Sequence, residues 1–207
     1  LDGARSPKER ALCFSAVDGG KSGGLHARAS AVKVRDQFVM ARFGRTSRDR
    51  YRAAASPELR EAFDTPGDRW VDFRLFVDAT ELACRMFADG DEELAADIGA
   101  FAAEANMGPW RALVHRILSP GFILGLSSQL WGHHYDGGRL AVSETPNVGF
   151  KVRIEEFPQP ARVHCLSIRG WCLGTIRLGR PKSATVEETA CRLKGDSGCE
   201  FVAQWKK

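Results

Sequence analysis

The chain has 207 residues, a formal net charge of +4, and ordinary apolar and charged fractions of 43% and 27%. That length suits one domain with a substantial core, and no apolar run approaches the roughly 18 residues that a membrane-crossing helix needs. The start carries no apolar signal core, and Cys13 and Cys84 are unclustered, so reduced thiols in the cytoplasm are expected.

Residues 1–24 end in Gly-Gly-Lys-Ser-Gly-Gly and show little periodicity, which predicts a flexible leader before a single domain over 25–207. A short extended arm is expected at 25–32. Val34, Phe38 and Ala41 then repeat at helical spacing as far as Gly44, and Thr46 with Asp49 is a capping-box pattern that opens another helix. The arginines between Arg45 and Arg52, with Tyr51, have the chemistry of phosphate and base contact. Three arginines at helical spacing also make an ordinary solvated face, and that reading is preferred. Ser56-Pro57-Glu58 pairs a cap with a first-turn proline.

Trp70 to Phe76 is apolar enough to enter the core. Asp78 and Glu81 repeat the capping-box logic and predict a helix start at that point. Residues 92–106 form the clearest amphipathic helix, 110–118 form another, and Ser119-Pro120 opens one that runs to about Tyr135. Asp136-Gly137-Gly138 marks the change to sheet. Strands are expected at 140–144 and 148–157, where Lys151 to Glu155 alternate as on a half-solvated antiparallel strand. The fold class expected is α+β: N-terminal helices packed on an antiparallel sheet, with a C-terminal helix and hairpin carrying a Cys/Glu cluster.

Chemistry gathers in that last part. Four of the six cysteines lie between Val163 and Trp205. Lys194 to Gly198 reads as the turn of a hairpin, which brings Cys191 opposite Cys199 with Cβ atoms about 4.5–5.5 Å apart. Two thiolates at that spacing can share a tetrahedral zinc. Glu188, three residues before Cys191, faces the other way on an unbroken strand, so the chain must bend or turn helical between them. Cys165, Ile168, Cys172 and Ile176 repeat at helical spacing, and a helix from about Val163 could return Cys165 to the hairpin. Buried cysteines as apolar filler, with Glu188 a surface carboxylate, explain the same residues. So does a Cys191–Cys199 disulfide in an oxidising compartment.

The pattern Cys165, Glu188-x-x-Cys191, Gly195 and Cys199 before an aromatic strand resembles the end of a 4-vinyl-reductase-like domain. That family also occurs in the sensor halves of aromatic-responsive bacterial transcription activators. Trp131, Gly137 and Gly170-Trp171 are further landmarks, and the whole chain is similar to an uncharacterised myxobacterial family of like length. The resemblance implies a zinc ion on Cys165, Glu188, Cys191 and Cys199. Four protein ligands leave no open position for water, so such a site is structural and joins the helix to the hairpin. It also implies a pocket for a small apolar ligand, for which the sequence offers Trp110, His115, Trp131 and Tyr135. Trp131 and Tyr135 share a helix face at i and i+4, although aromatic core packing at a helix end is the preferred account of them. His133 and His134 lack metal spacing, and His164 is a spare ligand at best.

No GxSxG in the strand–turn–helix setting of a nucleophile elbow, no phosphate loop and no dinucleotide fingerprint is present. The expected function is a non-enzymatic regulatory or sensory domain that binds a small apolar ligand or a partner protein, with homodimerisation compatible. The rivals are a dimerising scaffold and, more remotely, a tetrapyrrole-binding reductase-like protein.

Overall fold

The computed structural model describes residues 24–106, 128–145 and 149–206. The leader (but for Gly24) and the helix expected at 110–118 lie outside them.

The chain begins with β1 (His26–Arg28), which pairs antiparallel with β2 (Trp70–Asp72). Between these short strands run α1 (Ala29–Ala54) and α2 (Pro57–Asp64). Gly44 interrupts α1 at φ 83°, on the left-handed side that glycine alone enters freely. The stop expected there is a kink. Helix resumes with Thr46 already inside it, so the cap expected at Thr46 is not used. Ser56 does cap α2, its side chain accepting from the Leu59 N–H at 3.1 Å.

The next helix, α3 (Phe73–Phe87), begins earlier than its capping-box pattern suggests. Asp72 ends β2 and accepts from the Arg74 N–H at 2.7 Å, so it takes the cap. Asp78 lies within the helix instead of at its start. An apolar run that is half strand and half helix hid the boundary. Next comes α4 (Leu94–Asn106). Residues 128–134 are helical, and Tyr135 then bridges to Ala27. The Asp136 carboxylate secures this junction, accepting from the His26 backbone N–H at 2.7 Å and bonding its Nδ1 at 2.8 Å.

Four strands form the second sheet: β3 (Arg139–Thr145), β4 (Gly149–Glu155), β5 (Ser183–Ala190) and β6 (Gly198–Lys206). They are antiparallel in the order β3-β4-β6-β5. Between β4 and β5 comes α5 (Arg162–Leu178), which packs on both the sheet and α4. Two glycines set how closely α4 and α5 approach. A Cβ on Gly170 would lie 1.8 Å from the Ala96 carbonyl oxygen, and one on Gly99 would lie 1.9 Å from that of Ser167. The backbones therefore touch directly, and α5 has no freedom to rotate. The result is the α+β class expected, with most of the core continuous from α1 and α3 through α5 to the sheet.

Candidate functional site

Two buried clusters meet α5 at consecutive residues. His164 and Cys165 point about 100° apart around the helix, so one turns toward α3 and the other toward the hairpin.

On the hairpin side, the sulfurs of Cys165, Cys191 and Cys199 all lie within 4.8 Å of one another and are buried. Cys165 Sγ is 3.6 Å from Cys199 Sγ, and the Arg192 backbone N–H donates to Cys199 Sγ at 3.5 Å. Accepting from Cys165 and then from this N–H holds the Cys199 thiol below its usual range, against the opposing effect of burial. Donating to Cys199, together with burial, pushes Cys165 up. The convergence expected of these three thiols is present.

Glu188 does not join them. A bulge in β5 between Glu188 and Ala190 supplies the bend needed beside Cys191. Its carboxylate nevertheless takes both oxygens to Arg162 Nη1, at 2.8 and 2.7 Å, with Lys194 Nζ 3.5 Å away. A half-buried carboxylate already bonded to a guanidinium has little to offer a cation. The expected four-ligand set is thus three sulfurs and an ion pair.

On the α3 side, His164 is 2% exposed and its Nε2 has no hydrogen-bond partner. Phe157 stacks on the imidazole with centroids 4.6 Å apart. Phe73, Tyr135 and Phe76 meet it edge-on at 5.2, 5.2 and 5.4 Å, and Trp131 lies at 6.2 Å. Burial, helped by the charge on Arg35, lowers the His164 pKa to about 3, so the ring is neutral near pH 7. Of the four expected pocket residues, Trp131 and Tyr135 come together here, 4.5 Å apart, with Trp131 Nε1 donating to the Gly137 carbonyl at 3.1 Å. Trp110 and His115 lie outside the described residues.

Arg35 completes this aromatic box from α1. It is 3% exposed, and its guanidinium lies 3.6 Å over the Phe76 ring. Nε donates to Thr80 Oγ1 at 3.1 Å, Nη2 to Ser167 Oγ at 3.3 Å, and Nη1 to the Ala31 carbonyl. All three acceptors are neutral, and burial draws the Arg35 pKa down to about 10. The adjacent acid, Asp36, is committed elsewhere: Arg48 and Arg52 both hydrogen-bond to its oxygens.

Sequence reasoning missed Arg35 altogether and gave His164 only a passing role. A signal for Arg35 was present. Val32, Arg35 and Val39 fall on one helix face, so a cation interrupts an apolar stripe.

No protein-family model and no curated protein matches the sequence. Among solved structures, the chain is similar to an H-NOX protein from S. oneidensis in its Fe(II)NO state, with a TM-score of 0.67 and 11% identity over 87% of this chain and 99% of that one. An unliganded Fe(II) H-NOX protein from K. algicida gives a TM-score of 0.61 at 9% identity, over 87% and 97% of the two chains. The Fe(II)CO form of an H-NOX domain from Shewanella oneidensis gives 0.61 at 15% identity, over 87% and 99%. The fold is therefore that of H-NOX proteins. These findings overturn the resemblance to the 4-vinyl-reductase-like and myxobacterial families. They also remove the structural zinc that rested on it, in keeping with Glu188's engagement by Arg162. No described helix is long and apolar enough to cross a membrane.

Proposed function

We propose that this chain is a non-catalytic sensory domain whose interior receives a small ligand. The observation that carries the reading is the aromatic box, which holds two buried polar groups, His164 and Arg35, whose hydrogen-bonding capacity the described residues do not fill. The box lies where β1, α1, α3 and α5 meet Trp131 and Tyr135, so a ligand there touches elements from both halves of the fold. Its occupancy can then shift a packing equilibrium between them. A cytoplasmic location belongs to the same proposal.

The H-NOX neighbours carry iron, named in their Fe(II) states, and one is described in terms of haem distortion. Haem iron takes an axial ligand such as histidine, and the orphaned Nε2 of His164 has the right chemistry. Its surroundings do not fit. Five rings with centroids between 4.6 and 6.2 Å enclose the imidazole, and a macrocycle wider than any of them would have to replace several. We therefore assign no haem to His164, and no step of the proposed function depends on one.

The test is a panel of small apolar and acidic compounds scored by thermal melting, beside a haem titration followed in the Soret band. At least one compound should raise Tm by stabilising the folded state, and His164→Leu should leave any Soret change unaltered. A one-to-one complex whose spectrum changes with CO or NO replaces this reading with gas sensing. A panel with no effect at all removes the ligand.

A further inference from the structure

Arg35 and His164 face the same interior. Arg35 Nη2 bonds Ser167, which lies three residues after His164 on α5, and the guanidinium covers Phe76, whose ring in turn meets the His164 ring. A guanidinium has five N–H donors, and among the described residues three hydrogen bonds are made here. No acidic side chain among the described residues hydrogen-bonds it; the nearest in sequence, Asp36, is held by Arg48 and Arg52. A buried cation without a counter-charge is strongly disfavoured, and the penalty is relieved by an anion placed against it. A neutral histidine whose Nε2 has no partner adds a second polar contact within the same walls.

We propose that Arg35 and His164 form an internal anion site that takes a small carboxylic acid in its ionised form, the carboxylate on Arg35 N–H groups that no described residue occupies and the apolar remainder admitted by displacement of a ring among Phe73, Phe76, Trp131, Tyr135 and Phe157. The site rests on the sensory reading above and narrows it from a small ligand to a small acid. Guanidinium and carboxylate match in shape and charge, a pairing that a lysine ammonium reproduces poorly. Aromatic walls favour a flat or compact organic remainder over a hydrated inorganic ion. The remaining donors and the orphaned Nε2 then gain partners in one event.

The experiment is calorimetric titration of the full chain with acetate and benzoate, each paired with its neutral amide, acetamide and benzamide. Thermal melts run on the same samples. One or both acids should bind one-to-one and raise Tm, while the matching amide binds at least about tenfold more weakly, the loss expected when a charge-assisted contact becomes neutral. Arg35→Lys should weaken the acid by about tenfold or more and leave the amide unchanged. His164→Asn keeps a polar side chain and should weaken the acid by a smaller factor. If Arg35→Lys does not fold, His164→Asn and the acid–amide ratio in the unaltered chain still decide the matter. Equal binding of acid and amide overturns the anion site but leaves a sensory domain for neutral ligands. No binding by the four probes, with a stabilising compound found elsewhere in the panel, overturns only the anion site. No binding by any compound overturns both.

Discussion

The thiol cluster and the aromatic box lie on adjacent faces of α5, and they treat their polar groups in opposite ways. In the thiol cluster the polar atoms find partners within the chain. Cys165 bonds Cys199, Cys199 accepts from Arg192, and Glu188 is held by Arg162. In the aromatic box, among the described residues, a cation has only neutral acceptors and an imidazole nitrogen has none. Buried polar groups in folded proteins are almost always satisfied. The cluster therefore looks like part of the scaffold, and the box looks like the place where something external is accommodated. The two are connected, since the Arg192 guanidinium donates to the carbonyl of Phe157, one wall of the box.

The largest effect should come from disturbing the helix that both clusters share. Gly170→Ala places a methyl group 1.8 Å from the Ala96 carbonyl oxygen, and backbone offers no rotamer by which to escape. Overpacking of this kind should cost about 3 kcal/mol in a urea unfolding experiment. It should also weaken both clusters together, because α5 must withdraw as a unit. A loss below about 0.5 kcal/mol would show that α4 and α5 do not pack as described.

The second effect is specific to the box. Burial lowers the His164 pKa to about 3, against about 6.5 in an unfolded chain. Between those values the unfolded state binds a proton that the folded state excludes, so this residue's contribution to stability rises with pH. It is fully present above about 6.5 and is lost as pH falls toward 3. From pH 7 to pH 5 the loss should be about 2 kcal/mol. His164→Leu should lack that increment, whatever its stability at pH 7. Parallel pH–stability curves for the two proteins would mean that His164 is protonated in the folded state.

The two clusters were not equally legible in the sequence. Cysteine spacing and a glycine turn brought Cys165, Cys191 and Cys199 together correctly, because strand pairing and helix period are local rules. The carboxylate went astray because Arg162, which captures Glu188, begins a helix 26 residues earlier, and nothing in local spacing reports that partner. The box was harder still. Its walls come from α3, from the end of helix 128–134, from Phe157 just beyond β4 and from α5, so only the tertiary fold assembles them. Trp131 and Tyr135 were visible as an i, i+4 pair. Arg35 was passed over among a chain's worth of arginines, although its place in an apolar stripe set it apart. The order of helices before strands was enough for the α+β class, whereas the H-NOX likeness has only 9–15% identity to express it in the cited structures.

A smaller change should follow from opening the thiol cluster. Cys199→Ala removes a small buried side chain and leaves the Arg192 N–H without its acceptor. The expected cost is about 1 kcal/mol, near the centre of what single hydrogen-bond losses give. Cys165→Ala should cost a similar amount. The double variant should cost less than the sum, because the two sulfurs share one interaction; strict additivity would show that Cys165 and Cys199 act independently.

The smallest expected effect is zero, and it probes the cluster most directly. Zinc held by the chain would make its binding free energy part of folding free energy, so a chelator would lower Tm. Here the carboxylate that would close a tetrahedral site is bonded through both oxygens to Arg162, with Lys194 alongside. Recruiting it to a metal would strip a partly buried guanidinium of its partner, and that loss counts against the gain in coordination. Prolonged dialysis against EDTA should therefore leave Tm unchanged, and Glu188→Gln should destabilise the protein equally with and without the chelator. A fall of several degrees on chelation, abolished in Glu188→Gln, would show that the carboxylate leaves Arg162 for a metal and that the cluster, like the box, is completed from outside the chain.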